Sequence, residues 1–230
     1  MSGHKSPEEV RAAYVAAMGE ELGGLFHVLS NELTSIHVRW KQYRILFGDK
    51  PSRVDLLNEA APFFFRTVQD VLFEETLLAI ARLVGPAGSR GKPNLSVMRL
   101  PELIEDQDRR AMSANLVASA VSAAAFASDW RNRHIAHRDL DLSLRQAARP
   151  LEPASRQSVE AALESLRTLM NEVERAYMQA TTAYDLASVL GGAETLLDVV
   201  RDGVAAERDR RSRWQRGEIR EEDLKPPTAV

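Results

Sequence analysis

Apolar residues recur at threes and fours over most of this chain, and Pro and Gly mark where the pattern stops. Ser6-Pro7-Glu8-Glu9 reads as a helix start: a capping hydroxyl, Pro in the first turn, then acids at the positive end of the helix dipole. Leu22, Leu25, Phe26, Leu29, Leu33, Ile36, Trp40, Tyr43 and Phe47 continue at helical spacing, and Gly19, Gly23 and Gly24 predict a kink or break near the beginning. Gly48-Asp49-Lys50-Pro51 ends this element. Ser52 is the expected cap of the next helix, which Pro62 either kinks or restarts. Phe63, Phe64, Phe65, Val68, Val71, Leu72, Leu77, Leu78, Ile80 and Leu83 form a broad apolar face, which predicts a helix deep in a bundle.

Gly85 to Pro93 is the clearest loop. Its glycines resemble a phosphate cradle only in spacing; the preceding strand and the following Gly-Lys-Ser/Thr are missing, so it is read as a plain loop. A short helix or irregular segment is expected over Leu95 to Ile104, limited by Pro101. Arg109 to about His137 is the expected central helix. Leu116, Ala120, Ala123, Ala127, Trp130, His134 and His137 form one line on it, with Val117, Val121, Ala124, Ser128, Arg131 and Ile135 beside them. So many Ala imply close packing on another helix. The alternation in Asp139-Leu140-Asp141-Leu142-Ser143-Leu144 has no partner strand in view, so it is read as loop and turn. Ser155 to about Leu190 alternates by four and three through Val159, Leu163, Leu166, Met170, Val173, Tyr177, Ala180, Tyr184 and Ala187, the period of a bundle seam. Gly191-Gly192 breaks it, and a last helix runs from Ala193 to about Gly217. The predicted fold is all-α, an antiparallel bundle of long helices over residues 1–190, with an extra C-terminal helix (191–220) packing on or extending it and a tail (221–230).

Composition changes this picture little. With 230 residues, 44% hydrophobic and 27% charged, the chain is long enough for a substantial core and is not of disordered composition. A net charge of −3 provides no global attraction to nucleic acid, so any such binding needs a local basic patch. The absence of Cys excludes disulfides and thiolate metal sites and suits a reducing compartment. The N-terminus has no apolar signal core, and no apolar run reaches the roughly 18 residues of a membrane span, so a cytoplasmic protein without membrane association is expected.

The candidate chemistry sits in Trp130-Arg131-Asn132-Arg133-His134-Ile135-Ala136-His137-Arg138-Asp139, at the end of the Ala-rich helix. An Arg, five residues, then a His in this position resembles the signature of HEPN-domain proteins. The likeness extends to Leu29-Ser30-Asn31-Glu32-Leu33, Trp40-Lys41-Gln42-Tyr43, Asn58 to Phe65, Arg82-Leu83 and Leu100-Pro101-Glu102-Leu103, and is similar to the U-type abortive-infection (AbiU-like) branch over most of residues 20–190. The resemblance implies a HEPN helical bundle in which Arg131, Asn132 and His137 match the family motif. It also implies that an active member is a metal-independent, homodimeric endoribonuclease, often a toxin or phage-defence effector, needing no cofactor. Many relatives keep the fold without the activity.

The residue types suit that chemistry. Cleavage through the neighbouring 2′-hydroxyl needs a base, an acid and a cation on the phosphate oxygens. His titrates near neutral pH, and the planar fork of Arg pairs two phosphate oxygens. One His cannot easily serve both sides of an in-line displacement, so a two-fold dimer is expected to bring a second copy. Asn132 could orient a phosphate or the His. Arg133, His134 and Arg138 are secondary phosphate contacts. On an ideal helix Arg131 and His137 project roughly 120° apart, whereas Arg133 shares a face with His137 and rivals Arg131 as the working cation.

Other readings stand beside this one. The motif could be purely structural, capping the helix C-terminus and pairing with Asp139 or Asp141, in a non-catalytic module that binds RNA, a nucleotide or a partner such as a nucleotidyltransferase-type antitoxin. His134, His137 and Asp139 could ligate a metal only with a further ligand such as Glu32, Glu74 or Glu75, and no metal is expected. His27 and His37 are ten apart and form no zinc pair. Arg208, Arg210, Arg211, Arg213 and Arg216 around Trp214 read either as a basic arm for RNA or, given Asp209, Glu218, Glu221 and Glu222, as a solvated helix end, which is favoured.

Overall fold

The computed structural model describes residues 6–136, 140–144, 150–187, 190–220 and 223. It is an all-α fold whose β-structure, among the described residues, is one two-stranded hairpin. The chain divides into two compact units, Met1–Lys41 with Val71–Ser188, and Gln42–Asp70 with Val189–Val230. Among the described residues no single helix is long and apolar enough to cross a membrane.

Helix α1 (Pro7–Met18) starts as the sequence predicts. The Ser6 hydroxyl accepts from the Glu9 N–H and the Glu9 carboxylate accepts from the Ser6 N–H, a closed capping box. Gly19 (φ 84°) is the break, and α2 (Glu20–Tyr43) follows. Gly23 has a different role: a Cβ there would lie 2.5 Å from the Tyr14 carbonyl, so only Gly lets α1 and α2 approach this closely. The buried stripe Leu22, Phe26, Leu29, Leu33, Ile36 and Trp40 is the predicted apolar face. A π-helical turn (Arg44–Gly48) continues α2, and α3 (Pro51–Ala60) begins with Pro51 in its first turn. Lys50 occupies the capping position without a side-chain hydrogen bond, so the expected Ser52 cap is corrected. Pro62 is a true first turn, opening α4 (Pro62–Leu83). Phe63, Phe64 and Val71 are 86%, 61% and 58% exposed, so of the apolar face expected to be buried only Phe65 and then Leu77, Ile80 and Leu83 are fully covered.

In the first unit, strands β1 (Gly88–Ser89) and β2 (Lys92–Pro93) close the loop after α4, and a 3₁₀ turn (Val97–Arg99) leads into α5 (Leu100–Leu103). The central helix is not continuous. It is α6 (Gln107–Ala123), then α7 (Ala125–Trp130), then a π-helical turn (Arg131–Ile135), with a 56° bend at Ala124. Ala124 (φ −97°, ψ 9°) leaves helical geometry while it and Ala120 and Ala127 are fully buried. Packing on the interior bends a run whose periodicity predicted one helix. A short α8 (Leu140–Ser143) replaces the expected loop there. α6 packs against α9 (Arg156–Met178), which Ser155 caps as expected and which buries Val159, Leu163, Leu166, Met170 and Val173.

The predicted helix to Leu190 ends at Met178, because Gln179 turns left-handed (φ 53°). The chain then folds back: Asn171 Oδ1 accepts from the Thr182 N–H at 3.0 Å, and the Thr182 hydroxyl donates to Glu174 at 2.9 Å. Tyr184, on a 3₁₀ turn (Tyr184–Leu186), is 1% exposed and shares a hydrogen bond with Ser30 at 3.0 Å. These long-range bonds outcompete continuation of the four–three pattern.

In the second unit, α10 (Ala193–Gln215) packs on α3 and on the Arg44–Gly48 turn. Its first N–H, at Ala193, donates to Gln42 Oε1 at 2.5 Å, a cap supplied from a distant side chain.

Candidate nucleic-acid site at the end of α7

The π-helical turn carries the charged motif. Its Ala136 N–H donates to the Arg131 carbonyl at 2.9 Å, five residues back, so the ideal α-helical angles between motif residues do not apply. Such turns often mark functional sites.

Trp130 anchors the segment. Its ring meets Phe73 and His134 edge-on, at centroid distances of 6.2 and 5.3 Å, and its Nε1–H donates to the Glu152 carbonyl at 2.8 Å. Asp129 accepts from the Glu152 N–H at 3.0 Å and lies 3.5 Å from Arg133, whose Nη1 also donates to the Pro150 carbonyl at 3.4 Å. Arg133 is thus engaged in holding residues 150–152 to the helix. His134 Nε2 stands 3.5 Å from Glu74. Both residues were predicted as phosphate contacts; both are placed in contacts within the fold.

Arg131 is arranged differently. Its Nε and Nη2 both donate to Asn132 Oδ1, at 3.0 and 2.8 Å, which fixes the plane of the guanidinium. Nη1 has no hydrogen-bond partner among the described residues. It lies beside Gly85, where an added Cβ would come within 3.7 Å of it and within 3.2 Å of the Ala81 and Arg82 carbonyls. Arg131 therefore sits against the C-terminal end of α4, where exposed carbonyls favour a cation. Asn132 is exposed. His137, Arg138 and Asp139 lie outside the described residues, as does the side chain of Asp141.

Arg131 lines a cleft of about 460 Å³, together with Glu32, Arg82, Leu83, Gly85, Pro86, Asn94 and Leu95. The loop after α4 forms one wall. Its shape is held by the buried Ser96 hydroxyl donating to the Gly85 carbonyl, and by Asn94, whose N–H and Nδ2 donate to the Ala87 and Pro86 carbonyls at 2.9 and 3.0 Å. Arg82, mostly exposed, lies 3.5 Å from Glu75. Glu32 makes no hydrogen bond or ion pair with a described residue. Arg82, Gly85, Asn94 and Leu95 are neighbours of Arg131 that the sequence does not reveal. Nothing in local periodicity signals them, because α4 and its loop reach the motif only in three dimensions.

A sequence model of the HEPN family described as AbiU2 matches residues 19–196. The chain belongs to this family. No curated protein and no solved structure matches it. In this AbiU2-type HEPN chain the matched region contains the bent central helix, the π-helical turn and every residue lining the cleft.

Two further candidates can be placed. Among the described residues no three His, Asp or Glu side chains group as metal ligands. The arginines at the end of α10 and just after it pair with neighbours: Arg208 with Glu59, Arg210 and Arg211 with Glu207, Arg213 with Asp223 and Arg216 with Glu218. That balance fits a solvated helix end rather than a basic arm.

Proposed function

We propose that this AbiU2-type HEPN protein is a metal-independent endoribonuclease acting as a homodimer. The observation that carries the reading is the guanidinium of Arg131, held along one edge by Asn132 and presenting Nη1 beside an open cleft. A preorientated cation of this kind stabilises charge that develops on phosphate oxygens without reorganising during the reaction. Arg131 is the working cation, since Arg133 is tied to Asp129 and Pro150. His137 is the proton-transfer group, taking the 2′-hydroxyl proton or protonating the 5′-oxygen, and the second copy in a dimer supplies the other half. The test is cleavage of single-stranded RNA in EDTA, with the wild type beside Arg131→Ala and His137→Ala. Cyclic-phosphate ends, resistance of a 2′-deoxy substrate and loss of at least a hundredfold in rate in both variants are expected. A requirement for a divalent cation, or full activity in either variant, refutes it.

The clasp of Arg133 and His134 favours a second reading, a non-catalytic HEPN module in which the motif braces residues 150–152. Under it, His137→Ala lowers the melting temperature and no RNA is cut by any form.

A further inference from the structure

The cleft beside Arg131 contains a group that phosphate chemistry does not use. Glu32, on α2, is half-buried, lines the same cleft as two arginines, and yet makes no ion pair with either; its carboxylate has no hydrogen-bond donor among the described residues. A negative group in a phosphate site opposes binding unless it meets donors on the ligand. RNA carries such donors on its base edges, and single-stranded RNA is read by hydrogen bonds to those edges with the base face laid on a side-chain surface. The cleft offers both parts. Pro86 and Leu95, exposed at the rim, provide an apolar wall, and the volume of about 460 Å³ falls in the range of small-ligand sites. The Asn94 amide is oriented by its bond to the Pro86 carbonyl, which leaves Oδ1 facing no described donor.

We infer that the cleft binds the base next to the phosphate that Arg131 engages and that Glu32 selects guanine there. The inference rests on the proposal that Arg131 engages RNA phosphate. A carboxylate only accepts hydrogen bonds, and it has two oxygens side by side. Guanine presents two adjacent donors on its Watson–Crick edge, N1–H and the N2 amine. Cytosine has one, adenine has one beside an acceptor, and uracil has one between two acceptors. Guanine is therefore the base that engages both oxygens. Arg82, on the same cleft, is the second cation and contacts the backbone without regard to base.

The test is binding of the full chain to labelled single-stranded hexamers carrying 2′-O-methyl groups so that none is cut. The hexamers differ at one position: guanine, inosine, adenine, cytosine or uracil. Inosine keeps N1–H and lacks the N2 amine, so the wild-type protein alone can refute the inference even if a variant folds poorly. Guanine is expected to bind roughly tenfold tighter than inosine or adenine. Glu32→Gln, verified by its melting temperature, should level the series, while Arg82→Ala should weaken all five alike and reduce the salt dependence. No guanine preference in the wild type, or a preference that survives in Glu32→Gln, overturns the inference. The two readings separate cleanly. RNA cleaved without a guanine preference sinks base selection and leaves the nuclease standing; guanine preference without cleavage of natural RNA does the reverse. Equal loss of cleavage on every substrate in Glu32→Gln, with guanine binding intact, assigns Glu32 to the chemistry and overturns its role in selection.

Discussion

Glu174 is the buried polar side chain whose substitution should cost several kcal/mol through lost hydrogen bonds. It is 5% exposed on α9 and accepts from the Tyr14 hydroxyl at 2.8 Å and from the Thr182 hydroxyl at 2.9 and 3.2 Å. Through these bonds it ties α1 and the returning segment after Gln179 to α9. Glu174→Ala leaves two hydroxyls without their acceptor, at about 1–3 kcal/mol each when buried, and removes packed methylenes. Partial rehydration offsets some of this, so a net loss of about 3–4 kcal/mol is expected. For a chain of this size that is roughly 6–16 °C in Tm. Glu174→Gln keeps the shape and one acceptor, and should lose about 1–2 kcal/mol. Urea unfolding followed by circular dichroism gives both values. In a cycle with Tyr14→Phe, a coupling of about 1 kcal/mol is expected between residues in direct contact. A Glu174→Ala protein within 0.5 kcal/mol of wild type, or no coupling to Tyr14, would show that the network stabilises nothing.

The remaining predictions concern pH and the cleft. Burial, reinforced by Glu174, pushes the Tyr14 phenol up to about 12, and burial raises Tyr184 as well. The stability they contribute is complete below pH 10 and is lost as pH rises through the folded values, so an alkaline melt between pH 10 and 12 should flatten in Tyr14→Phe. Burial lowers the His37 imidazole, whose ring stacks on Tyr184 with centroids 6.0 Å apart. A depressed His favours folding above its unfolded value near 6.5, and that stability falls as pH drops below it; His37→Phe should keep the stacking and remove this acid slope in a pH series of Tm values. Gly85→Ala places a methyl 3.2 Å from two carbonyls and beside Arg131. It should cost about 1 kcal/mol in stability and, under the proposed nuclease function, lower RNA cleavage more than tenfold, since a small misplacement of a positioned group is expensive in rate.

How far sequence goes can be seen residue by residue. Ser6 with Glu9 and Ser155 mark helix starts correctly, and Pro62 marks one of the two outcomes left open for it, because a cap or a fixed φ acts within one turn and needs no partner elsewhere; Gly191-Gly192 precedes α10 as expected but does not end α9, which stops at Met178. The buried stripe of α2 and the seam of α9 were equally legible, since periodicity alone selects the face that leaves water. The motif was found as a word, by its Arg and His spacing, but its surroundings were not: Arg82, Gly85 and Asn94 precede Arg131 by dozens of residues and carry no periodic link to it.

The amino-acid order by itself therefore determined the helical class, most helix starts and the identity of the charged cluster. Tertiary structure alone decided that the central helix bends at Ala124, that α9 stops at Met178 and that Arg131, not Arg133, faces the cleft. The physical reason is the range of the forces involved. Backbone propensity is worth a few tenths of a kcal/mol to about 1 kcal/mol per residue and acts locally, while a buried Ala contact, the Glu174 network or the bond from the Glu152 N–H to Asp129 joins residues far apart and, once formed, outweighs it.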